Sequence, residues 1–256
     1  MPTRRFGILL LGLMLAVTVS AQPRERLLVA AASSLGPVME ELTSDFASRH
    51  PGLDVRLSLG SSGKLYHQIV QGAPFDLFYS ADTWYPQQLV NAGKTSGPAR
   101  VYARGRLVLW SKTLDAETLG PEVLNDPGVK RIALANPQHA PYGMRAREFL
   151  QARELWEPLK PKLVFGENIA QAAQFAQTGN AQVGLLALSL MASPELRDLG
   201  RYWLIPESEH RPLEKGYVVL TPAADKSAQR LFTDYITSPE ARTIYERYGF
   251  AVPSLL

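Results

Sequence analysis

Short apolar runs that read as strands alternate with amphipathic helical patterns along almost the whole chain. That alternation restricts the possible folds more than any other feature of the sequence. The runs Arg26–Ala32, Asp54–Gly60, Asp76–Ser80, Arg106–Ser111, Arg131–Ala135, Lys162–Phe165, Val183–Leu188, Tyr202–Ile205 and Gly216–Leu220 predict nine strands. Several are almost continuously apolar, as strands covered on both faces are. Between them, Leu35, Val38, Met39, Leu42 and Phe46 share one face of a helix that ends near His50-Pro51-Gly52. Leu65, Ile69 and Val70 mark a second helix, Ala146, Phe149 and Leu150 a third, and Ile169, Ala172, Ala173 and Ala176 a fourth. A last helix starts at Ser238-Pro239-Glu240, an N-cap followed by proline at the first helical position. Ile244, Tyr245 and Tyr248 face inward, and Gly249 stops it.

Alternating strands and helices predict a mostly parallel α/β architecture. Nine strands are many for one sheet in 256 residues, so two α/β lobes are expected, joined by two crossing strands near 101–105 and 214–216. Residues 22–103 and 216–256 then form one lobe and 104–215 the other. The ligand of such a fold sits in the interlobe cleft, at the C-terminal ends of the strands.

The first 21 residues are a separate object. Arg4 and Arg5 precede the apolar run Ile8–Val19, and Val19-Ser20-Ala21 offers small residues at a cleavage site. This reads as a secretory signal peptide cut after Ala21, which places the mature protein in the periplasm. The run is shorter than the ~20 residues a membrane span needs. The full chain has 27 basic and 24 acidic residues, and losing Arg4 and Arg5 leaves 25 against 24. A chain so nearly neutral, with no clustered basic face, is not expected to bind nucleic acid. The absence of cysteine excludes disulfides, thiolate metal sites, a cysteine nucleophile and a lipid anchor on cysteine.

Four strand-to-helix junctions carry the candidate chemistry. They are Ala30-Ala31-Ala32-Ser33-Ser34-Leu35, Leu59-Gly60-Ser61-Ser62-Gly63-Lys64, Pro137-Gln138-His139-Ala140-Pro141-Tyr142-Gly143 and Phe165-Gly166-Glu167-Asn168-Ile169. A helix start exposes N–H groups without intrahelical partners and carries partial positive charge, so it binds anions with no charged side chain. Serine there adds a hydroxyl donor, although serine before a helix is ordinarily a simple cap. Two junctions fall in each half of the chain, so an anion in the cleft would be held from both sides.

Other features read as structural. His50, His67, His139 and His210 lack metal-ligand spacing. Asp76 and Asp82, six residues apart across a strand end, favour a structural or hinge role over an acid pair. The serines have no G-x-S-x-G setting and no evident histidine base, which argues against a hydrolase. Trp84, Trp110, Trp156 and Trp203 are expected in packing, and Lys64, Arg145 and Arg147 on solvated surface.

The segments AASSL at 31–35, SSGKLYHQIVQGAPFDLFYSAD at 61–82, NPQHAPYGMRAREFL at 136–150, ENIAQAAQFAQTGNAQVGLLALS at 167–189 and RYGF at 247–250 resemble the periplasmic molybdate-binding proteins of ABC transporters. The resemblance runs over nearly all of the mature chain and keeps the order of the motifs. It implies the type II periplasmic-binding fold and a tetrahedral dianion, molybdate or tungstate, held by hydrogen bonds without a salt bridge. Carried onto this chain, the matching positions are Ser33, Ser34 and Ser62 in one lobe, giving hydroxyl and backbone donors. In the other lobe they are Tyr142 and Ile169, giving backbone N–H groups. Some members place a donor tyrosine where Ala187 stands here, so that donor is missing. Whether Tyr142 adds its hydroxyl in compensation is left open. The resemblance further implies an ABC permease and its ATPase as partners, a monomeric receptor with no cofactor, and no enzymatic activity.

A site of donors with no carboxylate suits a fully ionised dianion and disfavours hydrogen phosphate, which needs an acceptor. The alternatives are a receptor of the same fold for another small anion such as sulfate, for a carboxylate or for a metal ion, an enzyme on the same two lobes, and the sensing domain of a regulator.

Overall fold

The computed structural model describes residues 25–253, so the expected signal peptide lies outside the described residues. The chain first lays down β1 (Glu25–Ala32), β2 (Leu53–Gly60), β3 (Leu77–Tyr79) and β4 (Arg100–Gly105). It then passes at Arg106 into a second set, β5 (Leu107–Ser111), β6 (Ile132–Ala135), β7 (Leu163–Gly166), β8 (Val183–Ala187) and β9 (Arg201–Leu204). It returns as β10 (Leu213–Val219). The result is two five-stranded sheets, ordered β2-β1-β3-β10-β4 and β7-β6-β8-β5-β9.

The two sheets follow one plan. In each, three neighbouring strands are parallel, and the fourth in the order runs antiparallel to both its neighbours. That antiparallel strand is β10 in the first sheet and β5 in the second, the strands on which the chain enters each lobe from the other. The segments expected to cross, 101–105 and 214–216, lie in β4 and β10, which pair along the edge of the first sheet.

The longer helices are α1 (Gly36–Arg49), α2 (Ser62–Val70), α3 (Trp84–Asn91), α5 (Pro141–Ala152), α7 (Ile169–Gln177), α9 (Ser227–Ile236) and α10 (Pro239–Arg247). Single turns α4 (Ala116–Leu119), α6 (Trp156–Leu159) and α8 (Leu188–Met191) fill connections. The C-terminal pair packs on the first lobe. Phe232 of α9 meets Phe46 of α1 edge-on at 5.1 Å, and the Tyr248 hydroxyl donates to Glu41 at 3.0 Å. Ser238 caps α10 by accepting from the Ala241 N–H, and Gly249 takes a φ of 73° just past its end. Among the described residues no helix is long and apolar enough to cross a membrane.

The structure corrects several sequence expectations. β4 is absent from the nine apolar runs, because Arg100 and Arg104 break its apolar pattern, although its place was expected as the crossing at 101–105; it pairs with β10 at the edge of the first sheet. α3 and α9 also went unread. Val70 is exposed at the end of α2, and Trp84, expected in packing, is 56% exposed. Arg145 is buried instead of solvated; its Nη1 pairs with Glu148 at 2.5 Å, and its Nε has no partner. Asp76 and Asp82 do serve the fold. Asp76 accepts from the Leu28 N–H at 2.8 Å and pairs with Lys226 at 2.7 Å. Asp82 accepts from the Ser80 hydroxyl and the Tyr85 N–H.

Candidate functional site

Each of the four junctions ends a strand and begins a helix, and each does so with a different local device. After β1, the chain turns through a 3-10 segment, Ser33–Leu35, directly into α1, with no side chain capping it. After β2, Ser61 stands at the N-cap of α2, but its side chain does not cap. At α5, Pro141 occupies the first position after an uncapped Ala140. Proline lacks an N–H, so the first donor this helix presents is that of Tyr142. At α7, the Asn168 side chain accepts from the N–H groups of Ala170 and Gln171 at 3.0 and 3.1 Å. The cap thus occupies the second and third donors and leaves the first, on Ile169, free.

The four helix starts converge. Ser33, Ser34 and Ser62 from the first lobe and Tyr142 and Ile169 from the second all line one small cavity. Ser61, Gly60, Ala140 and Pro141 complete much of the wall, and no lining residue carries a charge. All five residues singled out from the sequence are buried.

The serine hydroxyls are set from behind. The Ser62 Oγ accepts from the Ala81 N–H at 3.0 Å, and the Ser34 Oγ accepts from Lys215 Nζ at 3.0 Å. An oxygen already accepting on its inner side has its own hydrogen left to point into the cavity. The Tyr142 hydroxyl is buried without a hydrogen-bond partner, and burial pushes its pKa well up, so it remains a donor. On β8, Ala187 is fully buried. The neighbouring Ser189 donates its hydroxyl to the Ser34 carbonyl at 2.7 Å.

The lobes are drawn together over the cavity. Ser61 Oγ lies 2.8 Å from His139 Nδ1, the Gly63 N–H donates to the His139 carbonyl at 2.9 Å, and Lys64 pairs with Glu167 at 2.6 Å. Gly63 permits the approach. A Cβ there would meet the Tyr85 hydroxyl at 2.6 Å and the His139 carbonyl at 2.7 Å. Burial, then the charge of Lys64, holds the His139 imidazole below its usual pKa.

Sequence reasoning missed Lys215, which is fully buried on β10. Burial lowers its pKa to about 7, with Asp82 opposing the shift. The Asp82 carboxyl is itself raised by burial. A signal was available: Leu213, Lys215 and Tyr217 alternate with Glu214 and Gly216 along the strand, which puts Lys215 on the same side as the buried Leu213 and Tyr217. The roles of Ser61, His139 and Ser189 also went unread, because each depends on a contact between segments far apart in sequence. Among the described residues no acid and histidine cluster could hold a metal ion.

The model of the bacterial extracellular solute-binding protein family matches residues 27–251. A molybdate-binding protein ModA of Rhodobacter capsulatus is 35% identical, over 97% of this chain and 96% of its own length. One from Azotobacter vinelandii is 36% identical, over 88% and 89%. Among solved structures, the A. vinelandii periplasmic molybdate-binding protein superposes with a TM-score of 0.83 at 32% identity, covering 89% of this chain and all of that one. The sulfate-binding protein SubI of Mycobacterium tuberculosis superposes at 0.73 with 14% identity, a likeness of fold alone.

Proposed function

This chain belongs to the bacterial extracellular solute-binding proteins, among the relatives that bind molybdate, and from that premise we propose that it captures molybdate in its interlobe cavity and delivers it to an ABC importer. The observation that carries the reading is the cavity wall. Helix-start N–H groups and hydroxyls from both lobes meet there, with no carboxylate among them. A tetrahedral dianion has only acceptor oxygens, so a wall of donors complements it. A hydrogen phosphate would leave its O–H facing donors, and an unmade buried hydrogen bond is costly.

In this reading Ser33, Ser34 and Ser62 donate from the first lobe, and Tyr142 and Ile169 from the second. The hydroxyl of Tyr142 joins its backbone N–H, replacing the donor that Ala187 cannot give. Tungstate, with the same charge and shape, binds as well. The receptor works as a monomer in the periplasm after loss of residues 1–21, needs no cofactor, performs no chemistry on its ligand, and hands it to a permease driven by its ATPase.

Isothermal titration of residues 22–256 with molybdate, tungstate, sulfate and phosphate at neutral pH tests the reading. One-to-one binding of molybdate and tungstate, with sulfate and phosphate silent, is the expected result. Preference for sulfate would move the protein to the other anion class of this fold, and binding of none of the four would remove the reading.

A further inference from the structure

We propose that Lys215 is the concealed counter-charge of the anion site: a positioning residue that fixes the Ser34 hydroxyl as a donor toward the cavity and selects for a doubly charged oxyanion over a singly charged one. This rests on the reading of the cavity as a molybdate site.

Lys215 does not line the cavity; it stands one residue behind it. Its side chain is fully buried, and its Nζ donates to Ser34 Oγ at 3.0 Å. Two aromatic rings flank it: Nζ lies 4.9 Å from the Tyr142 ring centroid and 5.2 Å from that of Phe250. Ring faces attract a cation but do not use up its hydrogens. The chain makes room for this arrangement at Gly105, where β4 ends. A Cβ there would come within 3.0 Å of Lys215 Cε and would collide with the Tyr142 hydroxyl.

Asp82 is the nearby carboxylate, and its Oδ1 already accepts from the Ser80 hydroxyl and the Tyr85 N–H. Lys215 therefore has no direct salt bridge among the described residues. An ammonium buried without a close partner is expensive. A dianion on the far side of Ser34 supplies the missing charge.

The hydrogen-bond logic points the same way. An ammonium has three donors and no acceptor, so facing Lys215 the Ser34 oxygen can only accept. Its hydrogen is then directed into the cavity. A neutral group in place of the ammonium would free Ser34 to turn its hydrogen inward and present lone pairs to the anion.

The test compares wild type and Lys215→Met in titrations with molybdate and with perrhenate, a tetrahedral oxyanion carrying half the charge. One unit of charge at about 6 Å and an effective dielectric of about 20 corresponds to roughly 100-fold in affinity. Lys215→Met is therefore expected to weaken molybdate roughly 10- to 100-fold more than perrhenate. Equal losses for the two anions would assign Lys215 a purely structural part and overturn the proposal, as would no loss at all. If Lys215→Met does not fold, the 15N resonance of the Lys215 side chain in the wild-type molybdate complex decides the point. An ammonium signal upholds the proposal and a neutral amine overturns it. Wild type that ignores molybdate would bring down the site reading together with this one. Wild type that binds molybdate, with a variant of unchanged selectivity, would remove this inference alone.

Discussion

The Nδ1 of His139 and the Oγ of Ser61 meet at 2.8 Å, one residue from each lobe, and the carbonyl of the same His139 accepts from the Gly63 N–H at 2.9 Å. A single residue of the second lobe thus grips the first by side chain and main chain together, at the rim of the cavity that both lobes line. His139→Ala keeps the main-chain bond and loses the other. A typical hydrogen bond contributes about 1 kcal/mol net, so molybdate dissociation should quicken about 5-fold. Stopped-flow displacement measures it, and an unchanged dissociation rate would remove His139 from the closing contacts.

The same histidine gives the cleft a dependence on pH. Burial holds its pKa below the ordinary 6.5, with Lys64 and His67 adding to the effect and Glu167 opposing it. The closed form then binds fewer protons than a form in which His139 is solvated. Its contribution to closure is complete above 6.5 and is lost as pH falls below that value. Molybdate affinity measured from about pH 7 down to about pH 5 should fall more steeply in wild type than in His139→Ala. Parallel curves would show that another group sets the dependence.

Ser62→Ala should weaken molybdate roughly 10- to 150-fold, the range for a hydrogen bond to a charged group. It also leaves the Ala81 N–H without the acceptor it has at 3.0 Å, so the melting temperature of the free protein should drop slightly. Titration and a thermal melt separate the two effects. A stability loss with unchanged affinity would reduce Ser62 to a structural residue.

Ile169 offers a sharper test, because its proposed donor is the main chain. Ile169→Val should leave affinity within about 3-fold, the change expected for a surface of similar shape. Ile169→Pro removes the N–H along with the side chain that Ile169→Val controls for, at a first helical position where proline is well tolerated. Asn168, already extended at φ −146° and ψ 176°, suits the position before it. Circular dichroism should report an intact fold while titration reports a large loss. Retained affinity in the proline variant would eliminate this donor.

Lys215 makes the free protein sensitive to alkali in an unusual direction. Its pKa falls from 10.5 to about 7 on folding, through burial that Asp82 only partly offsets. Between those values the unfolded chain carries the extra proton, so this group adds stability as pH rises through the window and imposes its full cost below it. The difference in denaturant stability between Lys215→Met and wild type should therefore be largest below pH 7 and shrink toward pH 10. A difference independent of pH would mean that the amine keeps its ordinary pKa on folding and stays charged throughout the window.

What the sequence made legible is what repeats locally. The nine apolar runs became strands because period and length mark them, and Ser238-Pro239 marked the start of α10 because capping is chemistry between near neighbours. The four strand-to-helix junctions could be read locally, whereas Ser33, Ser34, Ser62, Tyr142 and Ile169 were singled out within them by the resemblance to the molybdate-binding proteins. What stayed hidden depends on partners far along the chain. The apolar period of β4 is masked by its charges, so it was read only as a crossing and not as a paired edge strand. Lys215 acquires its meaning only when β10, returning from the second lobe, sets it against Ser34, 181 residues away. Arg145 looked like surface because arginine usually is, and only the packed α5 buries it.

In the proposed site, uncharged donors from four helix starts hold the dianion. A crystal of the molybdate complex, with diffraction collected at the molybdenum absorption edge, tests it most directly. One anomalous peak is expected in the cavity between Ser34, Ser62, Tyr142 and Ile169, with oxygens in reach of those hydroxyls and N–H groups and no charged side chain touching them. A peak elsewhere, or one coordinated by a carboxylate or an ammonium, would contradict it.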